Sequence, residues 1–448
     1  MKDELLKVAK FGGSSLASAE QFKKVGAIIR ADASRRYVVD SAPGKRSKDD
    51  TKVTDLLYRC YEEAAQGKNF DRTFRQIRSR FEEIITGLGL DLNLSRDFEE
   101  IHKRFESQSG VDYAASRGEY LNGKILAKYL GFEFVDAATV ICFDKDGNFL
   151  EEESDRKLAE RLSAVRTAVI PGFYGAMPDG RIKTFSRGGS DITGSIIARA
   201  IHADLYENWT DVSGFLAADP RLVKNPRVID VLTYRELREL SYMGASVLHE
   251  EAIFPVRSEG IPINIRNTNR PEDKGTLIVE TTCHTPEYII TGIAGKKGFV
   301  SISIDKDMMN SEIGFCRKVL QVFEDNHISI EHMPSGIDTC TIFVEQDAFI
   351  DKEQRVLAQL HRAVKPDTIE MESNLALIAI VGRGMKNNSG CASKIFSALS
   401  AAKINIRMID QGSSELNIII GVRNKYFEEA IRVIYNAFVP EDGKEEKK

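Results

Sequence analysis

Short β-branched runs alternate with helical patterns through the first 275 residues, and this alternation narrows the possible folds more than any other feature. The strand-like pieces are Leu5–Phe11, Tyr37–Asp40, Phe132–Val135, Thr167–Ile170, Asp204–Trp209 and Pro262–Arg266. Between the first two, Gln21–Arg30 places Phe22, Val25, Ile28 and Ile29 on one face at helical spacing. Strands separated by helices build a largely parallel sheet covered on both faces. The polar stretch Thr268–Gly275 reads as the turn that closes this region.

Beyond that turn the chain repeats itself. Gly314 and Gly390 are 76 positions apart (390 − 314 = 76). The same offset relates Lys318 to Lys394, Ile328 to Ile404, Gly336 to Gly412 and Ile342 to Ile418. Val319/Ile395, Leu320/Phe396, Phe323/Leu399 and Ile330/Ile406 keep the apolar pattern. Each copy reads as strand, glycine turn, helix, strand, turn, strand, a small α+β module. Glu441–Lys448 is a charge run of the kind that forms a solvated tail.

At 448 residues the chain has room for about three domains. Its 62 Lys and Arg against 67 Asp and Glu leave no basic excess for a nucleic-acid partner. The longest apolar runs, such as Leu375–Val381, are too short to span a bilayer, and Met1-Lys2-Asp3-Glu4 offers no apolar leader. The six cysteines stand singly, which suits neither a zinc site nor a disulfide framework. The expectation is a cytoplasmic protein with reduced thiols, without nucleic-acid or membrane partners.

Four segments can carry chemistry. Lys10-Phe11-Gly12-Gly13-Ser14-Ser15 joins a strand to a helix, where glycines let backbone approach a phosphate and the helix start offers free N–H donors. Lys10 adds a compact cation; the Walker spacing is absent, and Gly-Gly-Ser alone is also an ordinary turn. Thr184-Phe185-Ser186-Arg187-Gly188-Gly189-Ser190-Asp191 is a second junction of the same kind. There Arg187 can grip a carboxylate with two parallel hydrogen bonds, and Asp191 either caps the helix or orients Lys10. Trp209-Thr210-Asp211-Val212-Ser213-Gly214-Phe215 ends a strand, where α/β sheets bind ligands, or is a plain turn. Ser116-Arg117-Gly118-Glu119-Tyr120 lies in a helical pattern whose core face is Leu121, Ile125 and Tyr129. Glu119 shares a small, polar stripe with Ser116 and Gly123, open to a ligand or simply to solvent.

In this order and context, Lys10-Phe-Gly-Gly-Ser-Ser, Arg117-Gly-Glu, Ser186-Arg-Gly-Gly-Ser-Asp and Trp209-Thr-Asp-Val-x-Gly resemble the motifs of aspartokinases. The C-terminal repeat is similar to that family's tandem ACT domains, and Leu248-His249 and Ile263–Arg266 match the end of its kinase region. The resemblance covers essentially the whole chain and is to the monofunctional members. It implies a three-layer α/β/α sandwich of the amino-acid-kinase, carbamate-kinase-like type, followed by two ferredoxin-like α+β ACT modules. The expected divisions are 1–275 for the catalytic domain, 276–370 and 371–440 for the modules, and 441–448 for the tail.

The activity implied is transfer of the γ-phosphoryl group of ATP, carried with Mg²⁺, to the β-carboxylate of L-aspartate. This makes 4-phospho-L-aspartate, the entry to lysine, threonine and methionine synthesis. A carboxylate with an ordinary pKa of about 3.9 is already ionised and needs no general base. The obstacle is repulsion between anions, roughly 1 kcal/mol per charge pair at 4 Å in water and about 4 at an effective dielectric of 20. Cations and helix starts must offset it.

Carried over residue by residue, the resemblance makes Lys10, Phe11, Gly12, Gly13 and Ser14 the phosphate clamp and Asp191 the organiser of the cations. Arg187 and Ser190 fall on the substrate side, Arg187 against the α-carboxylate. Glu119 is assigned the amino group, and Ser41 and Thr54 align with the substrate loop. Thr210, Asp211 and Arg221 fall where the family contacts the nucleotide, with no metal ligand from the protein itself. Ser246 stands where many members carry a lysine that contacts ATP, so Arg221 or Lys224 is expected to replace that charge. In the first module Met309, Asn310, Ser311, Gly314, Ser329, Ile330, Glu331 and Asp338 form the expected effector site. Its acids favour lysine over threonine, and in the second copy Arg407 and Ser414 replace them. A homodimer or tetramer through the modules is expected. The rival readings are a kinase for glutamate or acetylglutamate, and a non-catalytic amino-acid sensor with an inactive kinase domain.

Overall fold

The computed structural model describes residues 5–186, 188–245, 252–282 and 286–439. The chain divides into two compact units. The first comprises Met1–Phe215, Val228–Tyr234 and Val247–Thr282; the second comprises Leu216–Arg227, Arg235–Ser246 and Cys283–Lys448.

In the first unit the alternation of strands and helices is realised. Its strands are β1 (Lys7–Phe11), β2 (Arg35–Asp40), β3 (Glu133–Phe134), β4 (Ala168–Pro171), β5 (Tyr174–Ala176), β6 (Ile182–Thr184), β7 (Leu205–Thr210), β8 (Val231–Thr233), β9 (Ile263–Asn267) and β10 (Thr276–Val279). Eight of them form one sheet in the order β3-β4-β2-β1-β7-β9-β10-β8, and β5 and β6 make a separate hairpin. All neighbours in the large sheet are parallel except β9 and β10. The chain leaves β1 towards β2 on one side, while β7 pairs with β1 on the other. The order therefore reverses at β1, and ligands of open α/β sheets bind beyond the carboxyl ends at such a point.

Helices α1 (Ala19–Arg30), α2 (Val53–Ala65), α3 (Asp71–Leu88), α4 (Ser95–Glu106), α5 (Val111–Leu130), α6 (Glu151–Ser163) and α7 (Gly189–Ala200) follow the early strands. α1 begins at Ser18, whose Oγ accepts the Gln21 N–H at 3.4 Å and so satisfies one orphan donor. Its apolar face, Phe22, Val25, Ile28 and Ile29, joins a buried cluster with Phe11, Leu57, Phe81, Leu121 and Trp209. The guanidinium groups of Arg35 and Arg266 lie 5.2 and 4.7 Å from the ring centre of Trp209. Arg35 is in turn held by Glu207 at 2.6 Å, so the charge beneath the site is paired.

The turn 268–275 does not close the region. It connects β9 to β10, which pair antiparallel within the same sheet, and β10 continues to β8. Among the described residues, helices α8 (Tyr234–Tyr242) and α9 (Phe254–Ser258) lie between β8 and β9 in the chain.

The second unit holds β11 (Gly292–Asp305), α10 (Phe315–Asp325), β12 (Thr339–Glu345), α11 (Gln346–Phe349), α12 (Glu353–Val364), β13 (Thr368–Val381), α13 (Cys391–Ala401), β14 (Met408–Asp410), β15 (Asn417–Arg423) and α14 (Phe427–Phe438). Its sheet runs β12-β11-β13-β15-β14, antiparallel throughout. The repeat is plain in three dimensions. α10 and α13 start 76 positions apart, each behind a left-handed glycine, Gly314 or Gly390. Beyond these helices the register changes. Ile302 pairs with Ile342, but its counterpart Ile378 pairs with Ile420, so the matching residue lies 78 positions on and Ile342 does not correspond to Ile418. The connection before β15 is two residues longer than the one before β12.

The copies are also interlocked. Gly292–Lys297, the first half of β11, pairs with Ala376–Val381, the first strand of the second copy. That copy therefore takes its last strand from chain that precedes the whole of the first. Gly298 and Asn374, 76 positions apart, both take positive φ where the two long strands pass from one copy to the other.

Candidate active site

The phosphate end is built where β1 and β7 leave the sheet. Lys10 is buried on β1, with Nζ 2.5 Å from Asp191 Oδ1. The Asn208 amide, on β7, donates to the same oxygen at 2.9 Å. Asp191 sits in the first turn of α7, so the helix start, its N–H groups and the lysine converge. The Gly12 N–H donates 2.9 Å to the carbonyl of Trp209, which fixes the path after Phe11. Gly13 meets Gly44 backbone to backbone. The Gly44 N–H donates 2.8 Å to Gly13 O, and a Cβ on Gly44 would stand 2.6 Å from the Gly13 carbonyl carbon. Only glycine permits this approach. Ser14 is partly buried in the short turn Gly13–Leu16.

The substrate end is built from β2 and α5. Asp40 ends β2 and is 0% exposed. Ser41 follows, its carbonyl taking the Asn122 amide at 2.7 Å. Ala42 presents its N–H to the Glu119 carboxylate. Gly118 lets α5 lie against Ala42, where a Cβ would come within 2.7 Å of the alanine methyl. Glu119 is therefore no solvated helix residue: it is 5% exposed, and burial pushes its carboxyl up to about 7. Arg117, also buried, stacks on Tyr113, Tyr120 and Tyr174, which gives it a packing role. Ser190, partly buried at the start of α7, backs onto Gly172, whose N–H donates to the Asp40 carbonyl at 3.1 Å. Thr54 lies in the first turn of α2, partly buried.

Thr210 ends β7 and its hydroxyl donates 3.2 Å to the exposed Asp211. Arg221 belongs to the second unit, where its side chain is 87% exposed and bonded to Asp219 at 2.6 Å; Lys224, in the same segment, is exposed. Arg187 and Ser246 lie outside the described residues, as do Leu248-His249 and the terminal charge run.

In the second unit Met309 is buried, and Asn310 and Ser311 continue its turn. The Asn310 N–H donates 3.1 Å to Ile337 O, bringing the turn beside Asp338, whose own carbonyl takes the Lys306 N–H. Gly314 starts α10, Ser329 and Asp338 are exposed, and Ile330 is partly buried. Glu331 accepts the Tyr242 hydroxyl at 2.6 Å. Glu312 sits within the same turn, with Lys306 and Lys318 both on its carboxylate, which brings its pKa down to about 2.

Sequence reasoning did not single out Asp40, Asn122 or Asn208. Asp40 does leave a sign, an acid at the end of the apolar run Tyr37-Val38-Val39.

A lysine–carboxylate pair at the reversal of a parallel sheet, with glycine turns on both sides, defines a nucleotide-dependent kinase of the α/β class. The family model for the amino acid kinase family matches residues 6–267, and one for the ACT domain matches residues 378–438. Aspartokinase 3 of Bacillus subtilis is 39% identical over 97% of this chain and 98% of its own. The aspartate kinase of Clostridium acetobutylicum is 54% identical, with a TM-score of 0.88, over 97% of this chain and 100% of its own. Aspartokinase III of Escherichia coli, solved with aspartate and ADP, is 25% identical with a TM-score of 0.71, over 96% and 99%. The chain belongs to the aspartokinases of the amino acid kinase family.

Proposed function

We propose that the protein phosphorylates the β-carboxylate of L-aspartate with ATP, giving 4-phospho-L-aspartate, the first step towards lysine, threonine and methionine. The observation that carries this reading is the buried Lys10–Asp191 pair at the start of α7, in a unit where Glu119 lies buried beside the end of β2. Both reactants are anions, so the chain's task is to hold positive charge between them. Lys10, the backbone of Gly12, Gly13 and Ser14, and the N–H groups at the start of α7 face the phosphates. Thr210, Asp211, Arg221 and Ser246 are assigned to the nucleotide. Glu119 takes the α-ammonium, Arg187 the α-carboxylate, and Ser41, Thr54 and Ser190 line the substrate.

Among the described residues no group of three His, Cys, Asp or Glu side chains is placed to hold a metal. Mg²⁺ would be carried by ATP, with no ligand from the protein's own side chains, and would supply charge neutralisation at the phosphates. Asp191 holds the Lys10 ammonium at the start of α7.

The first module is assigned lysine as a feedback effector, with threonine the alternative. Met309, Asn310, Ser311, Gly314, Ser329, Ile330, Glu331 and Asp338 surround it, and Glu331 and Asp338 supply the negative charge. Inhibition follows when the effector binds an inactive arrangement more tightly than an active one. A dimer or tetramer through the modules is part of this reading. No helix among the described residues is long and apolar enough to cross a membrane, in keeping with a cytoplasmic enzyme.

Hydroxylamine traps acyl phosphates, so the test is hydroxamate formation. Product with L-aspartate and ATP, suppressed by added lysine, supports the whole reading. Product with glutamate alone, or with neither acid, overturns it.

A further inference from the structure

At the end of β2, four buried acceptor atoms have no donor among the described residues: both carboxyl oxygens of Asp40, Oε2 of Glu119 and Oδ1 of Asn122. These atoms belong to three side chains on two elements, β2 and α5, and Asp40 lies near enough to Glu119 for the two charges to repel. Asp40 Oδ1 faces Gly123, where an added Cβ would stand 2.7 Å away, and Gly123 is one helical turn beyond Glu119. Asn122, one turn beyond Glu119 on α5, has its amide nitrogen committed to the carbonyl of Ser41, the residue after Asp40, and its oxygen is buried without a donor among the described residues. Orphaned buried acceptors in such numbers cost stability unless a ligand supplies the missing donors. A primary ammonium is the group that fits, because it brings one positive charge and three N–H donors.

We propose that Asp40 and Asn122 complete, with Glu119, the subsite for the substrate's α-ammonium, and that a proton carried by the two acids occupies it until substrate arrives. The proposal rests on the reading of L-aspartate as substrate and assigns Asp40 a role in binding it. Burial and the mutual repulsion of the two acids both favour the protonated form of the empty pair. The other ionisable groups facing the pair are Arg117 on α5, Tyr58 on α2 and Tyr174 on β5, the last bonded to Asp136. Arg117 favours ionisation of Glu119 but is held against its three tyrosines, so it does not replace an ammonium at the orphaned atoms.

Succinate separates this role from a structural one, because it keeps both carboxylates of aspartate and lacks the ammonium. Calorimetric titration of the full-length enzyme in buffers of different ionisation enthalpy counts the protons released. L-Aspartate is expected to release protons below neutral pH and succinate none, with aspartate affinity rising by up to about tenfold per pH unit there. Asp40→Asn is expected to weaken aspartate binding by roughly tenfold, one lost charge-assisted contact, and to leave succinate unchanged. Aspartate binding without proton release overturns the proposal without needing any variant. Equal weakening of both ligands by Asp40→Asn, or of neither, also overturns it. Failure of the parent to phosphorylate aspartate counts instead against the functional reading beneath it.

Discussion

Arg80 Nη2 donates 2.8 Å to the carbonyl oxygen of Gly44, while Nη1 of the same buried guanidinium meets Asp50 Oδ2 at 2.6 Å. One side chain of α3 thus pins both ends of the loop that follows Ser41 and carries the backbone contact to Gly13. Arg80→Ala is expected to destabilise the fold by about 3 kcal/mol, the scale for breaking a buried ion pair. It should also raise the KM for aspartate several-fold with little change in the KM for ATP. Arg80→Lys restores charge without the planar fork, so it should recover stability only in part. Thermal unfolding and initial rates check both effects.

Lys10→Met removes the cation beside Asp191 and leaves that carboxylate, among the described residues, with the Asn208 amide. A loss of roughly 10²–10³ in kcat is expected, the range for deleting one preorganised charge-stabilising group. Circular dichroism should stay native. A correctly folded Lys10→Met enzyme with parental kcat would sink the electrostatic account.

Glu119 must be ionised to take an ammonium, and burial raises its carboxyl to about 7. The kcat/KM for aspartate is therefore expected to climb as pH rises towards about 7 and to level above it. Stability runs the other way. The folded pKa lies above the ordinary glutamate value of about 4.5, so the folded state binds the proton more tightly. Raising the pH from about 4.5 to 7 then removes up to about 3 kcal/mol of stability. Glu119→Gln escapes that loss, so its Tm should exceed the parent's at pH 8, while aspartate binding is badly weakened.

Glu331 accepts the Tyr242 hydroxyl within the second unit. Glu331→Gln is expected to raise the lysine concentration for half-inhibition on the order of tenfold, as loss of a charge-assisted contact predicts, with uninhibited kcat retained. Inhibition curves with lysine and threonine check this. An unshifted lysine curve removes Glu331 from the effector site.

The sequence made the main strands, α1 and the two glycine junctions readable, because each has a local cause: β-branched runs, paired glycines, and helical spacing of Phe22, Val25 and Ile29. Lys10 and Asp191 were recognisable for the same reason, since each stands in a junction. What stayed hidden depends on distant chain. β10 was obscured by 268–275, whose composition suits a linker as well as a turn between paired strands. Asp40 looks like the polar end of a strand until α5 is packed over it. The two-residue slip in the repeat is invisible to pattern because strands have a period of two. Ile418 and Ile420 face the same way, so either aligns with Ile342.

The interlocked strands have a consequence for biosynthesis. The ribosome delivers Gly292–Lys297 before any other strand of the module it belongs to. That hexapeptide must wait, its edge unsatisfied, while the 78 residues before its partner strand (375 − 297 = 78) are made. Neither copy can be cut out as a free-standing piece at a single junction. A stop codon between residues 298 and 375 therefore strands a β-edge far upstream, and such edges invite aggregation.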